Sequence, residues 1–268
     1  MIKKSQAGFS LLELAIAIVI LAAILGSVMV PVATQVQARK IMETEQLLDD
    51  AKEALLGFAL SNARLPCPDN PAISGITGIE DPPCAAGGVG FLPWSTLGVT
   101  PSDSWGHLLI YRVTSEFTNA PNPATPCPPP PPPPPPPTGD LDLCDGGDIT
   151  IITRGDLPGG PTNTKDPVPL TPPPPPPRAA PAVIVSVGPN GSGGTDLLGN
   201  ILPAPAGADE QNNLNNDLQF VTRPLVSNAP GTCSDTTEGQ PLCNFDDLVV
   251  WLSTPILFNR MVAAGRLP

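Results

Sequence analysis

Hydrophobic and polar positions along the chain fall into three regimes. From Phe9 the sequence runs FSLLELAIAIVILAAILGSVMVPV, and between Glu13 and Pro31 only Gly26 and Ser27 are not plainly apolar. A helix that is apolar all round needs lipid or sister helices around it. With Phe9 to Leu12 included, the run is long enough to span a bilayer core of about 30 Å. After Pro31 the pattern changes to VATQVQARKIMETEQLLDDAKEALLGFALSNA. Here Ile41, Thr44, Leu48, Ala51, Leu55 and Phe58 recur at alternating steps of three and four, which is a helical stripe. Leu47 and Ala54 widen it, and the charged residues lie mostly off it. The two regimes predict one helix over 9–61, about 80 Å long at 1.5 Å per residue. Pro31 should kink or locally melt it, and Leu65-Pro66-Cys67-Pro68 should end it.

The third regime, from 63 onward, is turn-rich with short apolar runs. Strands are expected in Gly87–Pro93, His107–Thr114, Asp148–Arg154 and Ala182–Gly188, and at Val249, Val250 and Trp251. The run AVIVSVG at 182–188 is almost wholly apolar and should be central. Thr254 followed by Pro255 predicts the start of a closing helix, and Gly265 its end. Proline-rich insertions at 126–137 and 172–177 interrupt this pattern. Ten consecutive prolines at 128–137 would form polyproline II, about 31 Å long at 3.1 Å per residue. They cannot join a sheet, having no N–H to donate. They read as excursions from a sheet: either tolerated surface insertions, or a recognition arm or spacer.

Composition narrows the function. The chain has 268 residues, with 40 Pro and 25 Gly, so it is not one smooth globule. Its 25 acidic residues outnumber 13 basic ones, and a net charge of −12 disfavours a nucleic-acid-binding body. One His and one Tyr leave few groups for acid–base catalysis near neutral pH. No G-x-S-x-G, H-E-x-x-H or P-loop is present, so no enzyme activity is expected. His107 has no second His to join it and reads as a surface or strand residue rather than a ligand.

The N-terminus carries the decisive pattern. A short leader with Lys3 and Lys4 ends in Gly8; Phe9 follows, then Glu13 as the fifth residue after the glycine, then the apolar run. The stretch KKSQAGFSLLELAIAIVILAAILG resembles the class III signal of type IV pilins and type II secretion pseudopilins. A typical secretory signal has a shorter apolar core and a small-residue cleavage site after it. A plain membrane anchor would not explain Glu13, since a carboxylate in an apolar helix is costly and usually functional. The resemblance implies cleavage between Gly8 and Phe9 by a prepilin peptidase, and N-methylation of Phe9. Cleavage would leave 11 basic residues against 25 acids, a charge of −14. The next basic residue after Glu13 is Arg39. The new amine of Phe9 could pair with Glu13 of its own or an adjacent subunit and set the axial register of stacked helices. Glu13 is then an assembly residue. The segment 103–111, beginning Asp103-Ser104-Trp105-Gly106, is similar to the Asp-Pro-Trp-Gly turn and following strand of major pseudopilins, with Ser104 in place of Pro. Trp105 should cover the core and Gly106 permit a tight turn.

Six cysteines stand at 67, 84, 127, 144, 233 and 243, none in a C-x-x-C, so zinc is not expected. A head outside the cytoplasmic membrane would keep disulfides. Six cysteines allow 15 connectivities; spacings of 17, 17 and 10 favour Cys67–Cys84, Cys127–Cys144 and Cys233–Cys243. The middle pair would close the first proline excursion at its base. Asp209, Glu210, Asn213, Asn216 and Asp217 form an oxygen-rich group of the kind that suits Ca²⁺. Major pseudopilins carry calcium in a C-terminal loop, which makes Asp209, Asn213 and Asp217 calcium candidates. EF-hand spacing is missing, and a solvated Asn-rich turn is the alternative. No other cofactor is expected.

The expected fold is α+β: a long N-terminal helix packed on a small antiparallel sheet of four to six strands, with disulfide-bonded, proline-rich loops. The expected organisation is a leader at 1–8, a transmembrane and assembly helix at 9–32, its amphipathic continuation at 33–62, and a head at 63–268. The resemblance implies a structural subunit of a type IV pilus-like or type II secretion pseudopilus filament. Its partners would be homologous subunits, the prepilin peptidase and an inner-membrane assembly platform. It would cross the inner membrane once with its head in the periplasm, then enter a filament there or at the cell surface. A mature length of 260 residues is large beside typical major pseudopilins and points to a minor or specialised subunit; Glu13 argues against the tip subunit, which usually lacks that acid. The alternative is a filament-borne adhesin or binding module using its proline-rich loops.

Overall fold

A computed structural model describes residues 11–82, 84, 88–119, 146–154, 168–171, 179–215, 217–227, 229 and 231–267, with the side chains of 23–32 outside that set. Helix α1 spans Leu11–Asn62 and runs through Pro31 without interruption. The expected melting there is not realised: proline removes one intrahelical hydrogen bond, and the turns on either side carry the helix past it. The helix stops where Ala63 takes a left-handed φ of 57° and donates its N–H to the Ala59 carbonyl at 2.8 Å. The expected break at 65–68 follows two residues later. The chain divides into two compact units, Met1–Glu43 and Thr44–Pro268, with the division inside the helix.

The reason is the stripe. Thr44, Leu48, Ala51 and Leu55 are buried, and Leu56 and Ala59 extend the buried face, while Phe58, Leu47 and Ala54 are only half-buried. These helical residues share one core with the head. That core faces a four-stranded antiparallel sheet made of β1 (Val89–Phe91), β2 (Ile110–Val113), β5 (Ala182–Ser186) and β7 (Leu248–Trp251), in the order β1-β2-β5-β7. Period-two alternation sorts the side chains. Tyr111, Val113, Ala182 and Ile184 point to the helix side, where helix α4 (Thr254–Ala263) adds Leu257 and Met261. Ile110, Val183, Val185 and Val249 point the other way.

That other face is covered by a second sheet, which the sequence did not lead us to expect. It has the order β4-β3-β6, from β3 (Thr150–Thr153), β4 (Val168–Pro169) and β6 (Gln219–Val221). Strands β3 and β4 are antiparallel, but β3 and β6 run parallel. Ile149, Ile151 and Phe220 fill the space between the sheets. Strand β5 is therefore buried along its whole length, as an uninterrupted apolar strand should be.

Loops tie the layers together. Cys67–Cys84 and Cys233–Cys243 form disulfides, as the spacing suggested; Cys127 and Cys144 lie outside the described residues. Arg64 grips Glu80 with two bonds of 2.8 Å, and Asp69 accepts the Thr77 and Gly78 N–H groups. The turn at 103–107 is organised by Asp103. One of its oxygens accepts the Trp105 and His107 N–H groups, and the other accepts the Ser186 hydroxyl at 2.7 Å. Ser104 N–H reaches the Thr44 hydroxyl of α1 at 3.2 Å. Gly106 has a φ of 89°, which only glycine takes without strain. Trp105 is half-buried and belongs to none of the buried clusters. The Asp103 carboxylate, rather than the Trp105 ring, fixes this corner. Thr114, just past β2, and Asp148, just before β3, are joined twice: hydroxyl to carboxylate, and Asp148 N–H to the Thr114 hydroxyl at 3.1 Å. Ser253, not Thr254, holds the N-cap position of α4, without a side-chain capping bond; the Thr254 hydroxyl turns inward to the Ala179 carbonyl at 2.7 Å.

Leu55 is 0% exposed and Met42 is 67% exposed. Leu55→Ala should cost the head about 2–5 kcal/mol, whereas Met42→Ala should stay within about 0.5 kcal/mol of wild type. Chemical denaturation followed by near-ultraviolet circular dichroism checks both; equal midpoints for the two variants would contradict the shared core.

Candidate functional site

Two regions bear on function, and they are built differently. The first is the N-terminus. Gly8 and Phe9 lie outside the described residues. Glu13 sits in the first turn of α1, among exposed apolar side chains that include Leu11, Leu12, Leu14 and Ile16. A carboxylate in a first helical turn is favourably placed against the helix dipole. Among the described residues, no helix is long and apolar enough to cross a membrane. The expected spanning segment, 9–32, lies only partly within the described residues.

The second region is around helix α3 (Ala208–Leu214), a helix absent from the sequence reading, which saw only an Asn-rich turn or an oxygen cluster. The three calcium candidates each have partners of their own. Asp209 is buried and accepts Arg154 Nε at 2.8 Å and Arg223 Nε at 2.7 Å. Burial raises its pKa, Asp235 adds to that, and the two guanidinium groups pull it back; two charge-assisted bonds hold it as the carboxylate. Asn213 pairs with the Val221 backbone through both N–H and C=O, and also donates to Asp247 at 2.8 Å. Asp217 is exposed and turns back to Asn215 and the Gln219 N–H. Asn216 lies outside the described residues. Each of the three candidates is engaged by protein partners.

A different set of carboxylates does converge. Glu210, Asp246 and Asp247 each place an oxygen within 4.8 Å of the others. Glu210 comes from the first turn of α3; Asp246 and Asp247 come from the segment that leads into β7. Glu210 Oε1 accepts Asn190 Nδ2 and Asp246 N–H, both at 3.2 Å. Asp246 Oδ2 accepts the Asn190 N–H at 2.8 Å, and its Oδ1 is buried with no hydrogen-bond partner among the described residues. Burial pushes the Glu210 carboxyl up to about 7, Asp246 above the ordinary range, and Asp247 well above it, with Glu210 and Asp246 adding to the effect on Asp247. Carboxylates packed this closely are neutralised by shared protons or by a hard cation. Sequence reasoning had Glu210 in view but missed its partners. The signal was the adjacent pair Asp246-Asp247 at the entry to an apolar strand, where a buried acid is out of place. His107 is not in this group; its Nδ1 lies 3.4 Å from Asp103 Oδ2 in the turn described above.

A protonated Glu210 has a direct consequence for stability. Its folded-state pKa of about 7 is above the ordinary 4.5. Its contribution is therefore fully present below pH 4.5 and lost as pH rises through 7. In chelated solution, Glu210→Gln should stabilise the head by about 1 kcal/mol at pH 8 relative to wild type and little at pH 4. Urea midpoints at the two pH values measure this; a difference that does not change with pH would show that Glu210 titrates alike in the folded and unfolded chain.

Comparison with known proteins adds one finding. Residues 3–29 match the family model of the prokaryotic N-terminal methylation motif. No curated protein and no solved structure matches the chain.

Proposed function

From this motif, the prepilin-type signal of type IV pilins and pseudopilins, we propose that the chain is a minor or specialised structural subunit of a type IV pilus-like or type II secretion pseudopilus filament. The motif implies processing by prepilin peptidase, membrane anchoring and then assembly with other pilin-type subunits. In this reading the leader is removed at Gly8, and the apolar helix from Phe9 anchors the chain in the inner membrane with its head in the periplasm. The helix then passes from the bilayer into a bundle of sister helices. Its exposed apolar side chains, from Leu11 to Leu21, support that role. The Phe9 amine meets Glu13 of a neighbouring subunit and fixes the axial step. No catalytic step is assigned. A calcium requirement, in this reading, belongs to Glu210, Asp246 and Asp247 rather than to Asp209, Asn213 and Asp217. The two proline runs support a second reading, a filament-borne binding module; deleting 128–137 would abolish binding in that case and leave a purely structural subunit intact.

Two measurements test the main reading. N-terminal mass spectrometry of membranes or sheared filaments should find a chain that begins at a methylated Phe9. A start at Met1, or beyond residue 30, would remove the class assignment. Glu13→Val should leave membrane insertion and the head unchanged while lowering the ratio of sheared-filament to membrane-bound protein at least several-fold, because the Phe9 amine loses its partner. Wild-type assembly of this variant, as sole copy of the subunit, would leave helix packing alone as the driver.

A further inference from the structure

Arg223 is a deeply buried cation, with its side chain 0% exposed. It lies just past β6, and four groups surround it. Its Nε donates to Asp209 of α3 at 2.7 Å. Its Nη2 donates to Asp235 Oδ1 and to the Cys243 carbonyl, both at 3.1 Å. The guanidinium stacks on Phe245 with 4.5 Å to the ring centroid. Two of these partners, Asp235 and Cys243, belong to the loop closed by the Cys233–Cys243 disulfide. Asp235 is itself the hub of that loop: Oδ1 also accepts the Cys243 N–H at 2.9 Å, and Oδ2 accepts the Asp209 N–H at 3.2 Å. Thus one carboxylate inside a disulfide ring holds the cation behind β6 and the first turn of α3 together.

We propose that closure of Cys233–Cys243 is a redox switch that locks α3 and the second sheet into the head. Between Thr236 and Pro241 the loop is exposed and offers no apolar packing, so the covalent ring is what restricts where Asp235 can be. Opening it takes two electrons and two protons from a dithiol, which becomes a cyclic disulfide and leaves two thiols. The Cys233 end is then released, and Asp235 with it. Arg223 remains buried with one of its two carboxylates gone, the state in which a buried charge is most costly. Relief comes by local opening, which lets water reach Arg223 and frees α3 and β6 together. The first sheet has its own core against α1 and α4 and does not depend on this ring. The head would therefore exist in an unlocked form under reducing conditions and a locked form after oxidation. This inference concerns the head alone and stands apart from the filament reading.

Amide hydrogen exchange on the full chain in detergent tests it. Cys233→Ser/Cys243→Ser, and the oxidised wild type treated with dithiothreitol, should each speed exchange at the Asp209 and Val221 amides by about tenfold or more. Tyr111 and Ile184 in the first sheet should keep their protection, and Cys67→Ser/Cys84→Ser should leave Asp209 and Val221 slow. Asp235→Asn should speed the same two amides when the disulfide is closed and add little once it is open. Unchanged protection of Asp209 and Val221 with the ring open would overturn the proposal. So would a loss of protection that spreads equally to Tyr111 and Ile184, or an Asp235→Asn effect of the same size in both redox states.

Discussion

Much in the head follows from burial of the β2–β5–β7 sheet on both faces. A sheet with one wet face can alternate apolar and polar residues; β5 does not, because Ala182 and Ile184 meet the helix side while Val183 and Val185 meet the second sheet. Each face therefore carries its own cover. The helix side is supplied by residues 44–62 of α1 and by α4, and the compact unit therefore starts at Thr44 in mid-helix. The far side is supplied by three short strands drawn from distant stretches of the chain, two of them running parallel.

The two covers are held by different forces. Against the helices the core is wide and apolar, with Leu48, Leu55, Tyr111 and Phe117 fully enclosed. The far sheet is small, and behind it Ile152, Val221 and Phe245 form only a three-residue cluster. There the connections are polar: Arg154 and Arg223 to Asp209, Arg223 to Asp235, and Asn213 to the Val221 backbone. Helix α3 sits at the join, with Asp209 turned to the arginines and the next residue, Glu210, turned to acids. Buried polar contacts of this kind are demanding of geometry, because each partner lost leaves another unsatisfied.

What the sequence made legible was whatever carries a strong period or a fixed spacing. The apolar run and its continuation marked the end of α1 to within one residue. The apolar strand at 182–186 and the disulfides Cys67–Cys84 and Cys233–Cys243 were equally clear. Strands of two or three residues such as β4 and β6 have no period to show, and the second sheet went unseen. The oxygen-rich stretch around 209–217 is harder to read for a related reason. Composition shows which polar atoms are present but not which are already spoken for, and Asp209 and Asn213 are engaged by residues that lie far away in the chain, Arg154 and Asp247. The acids that do converge come from two separate segments, so no local motif announces them.

The Thr114–Asp148 pair has an implication for how this head can vary. These residues flank the long proline excursion and fix its two ends to the ladder independently of any disulfide. Once the ends of a connection are fixed by the surrounding structure, its length enters stability only through a logarithm: doubling it costs roughly 0.6 kcal/mol. A homopolymeric proline tract is the kind of sequence that lengthens and shortens by replication slippage. Placed here, such changes would alter reach and surface without disturbing the sheets, so the tract can diversify from one lineage to the next while the strands beneath it stay the same.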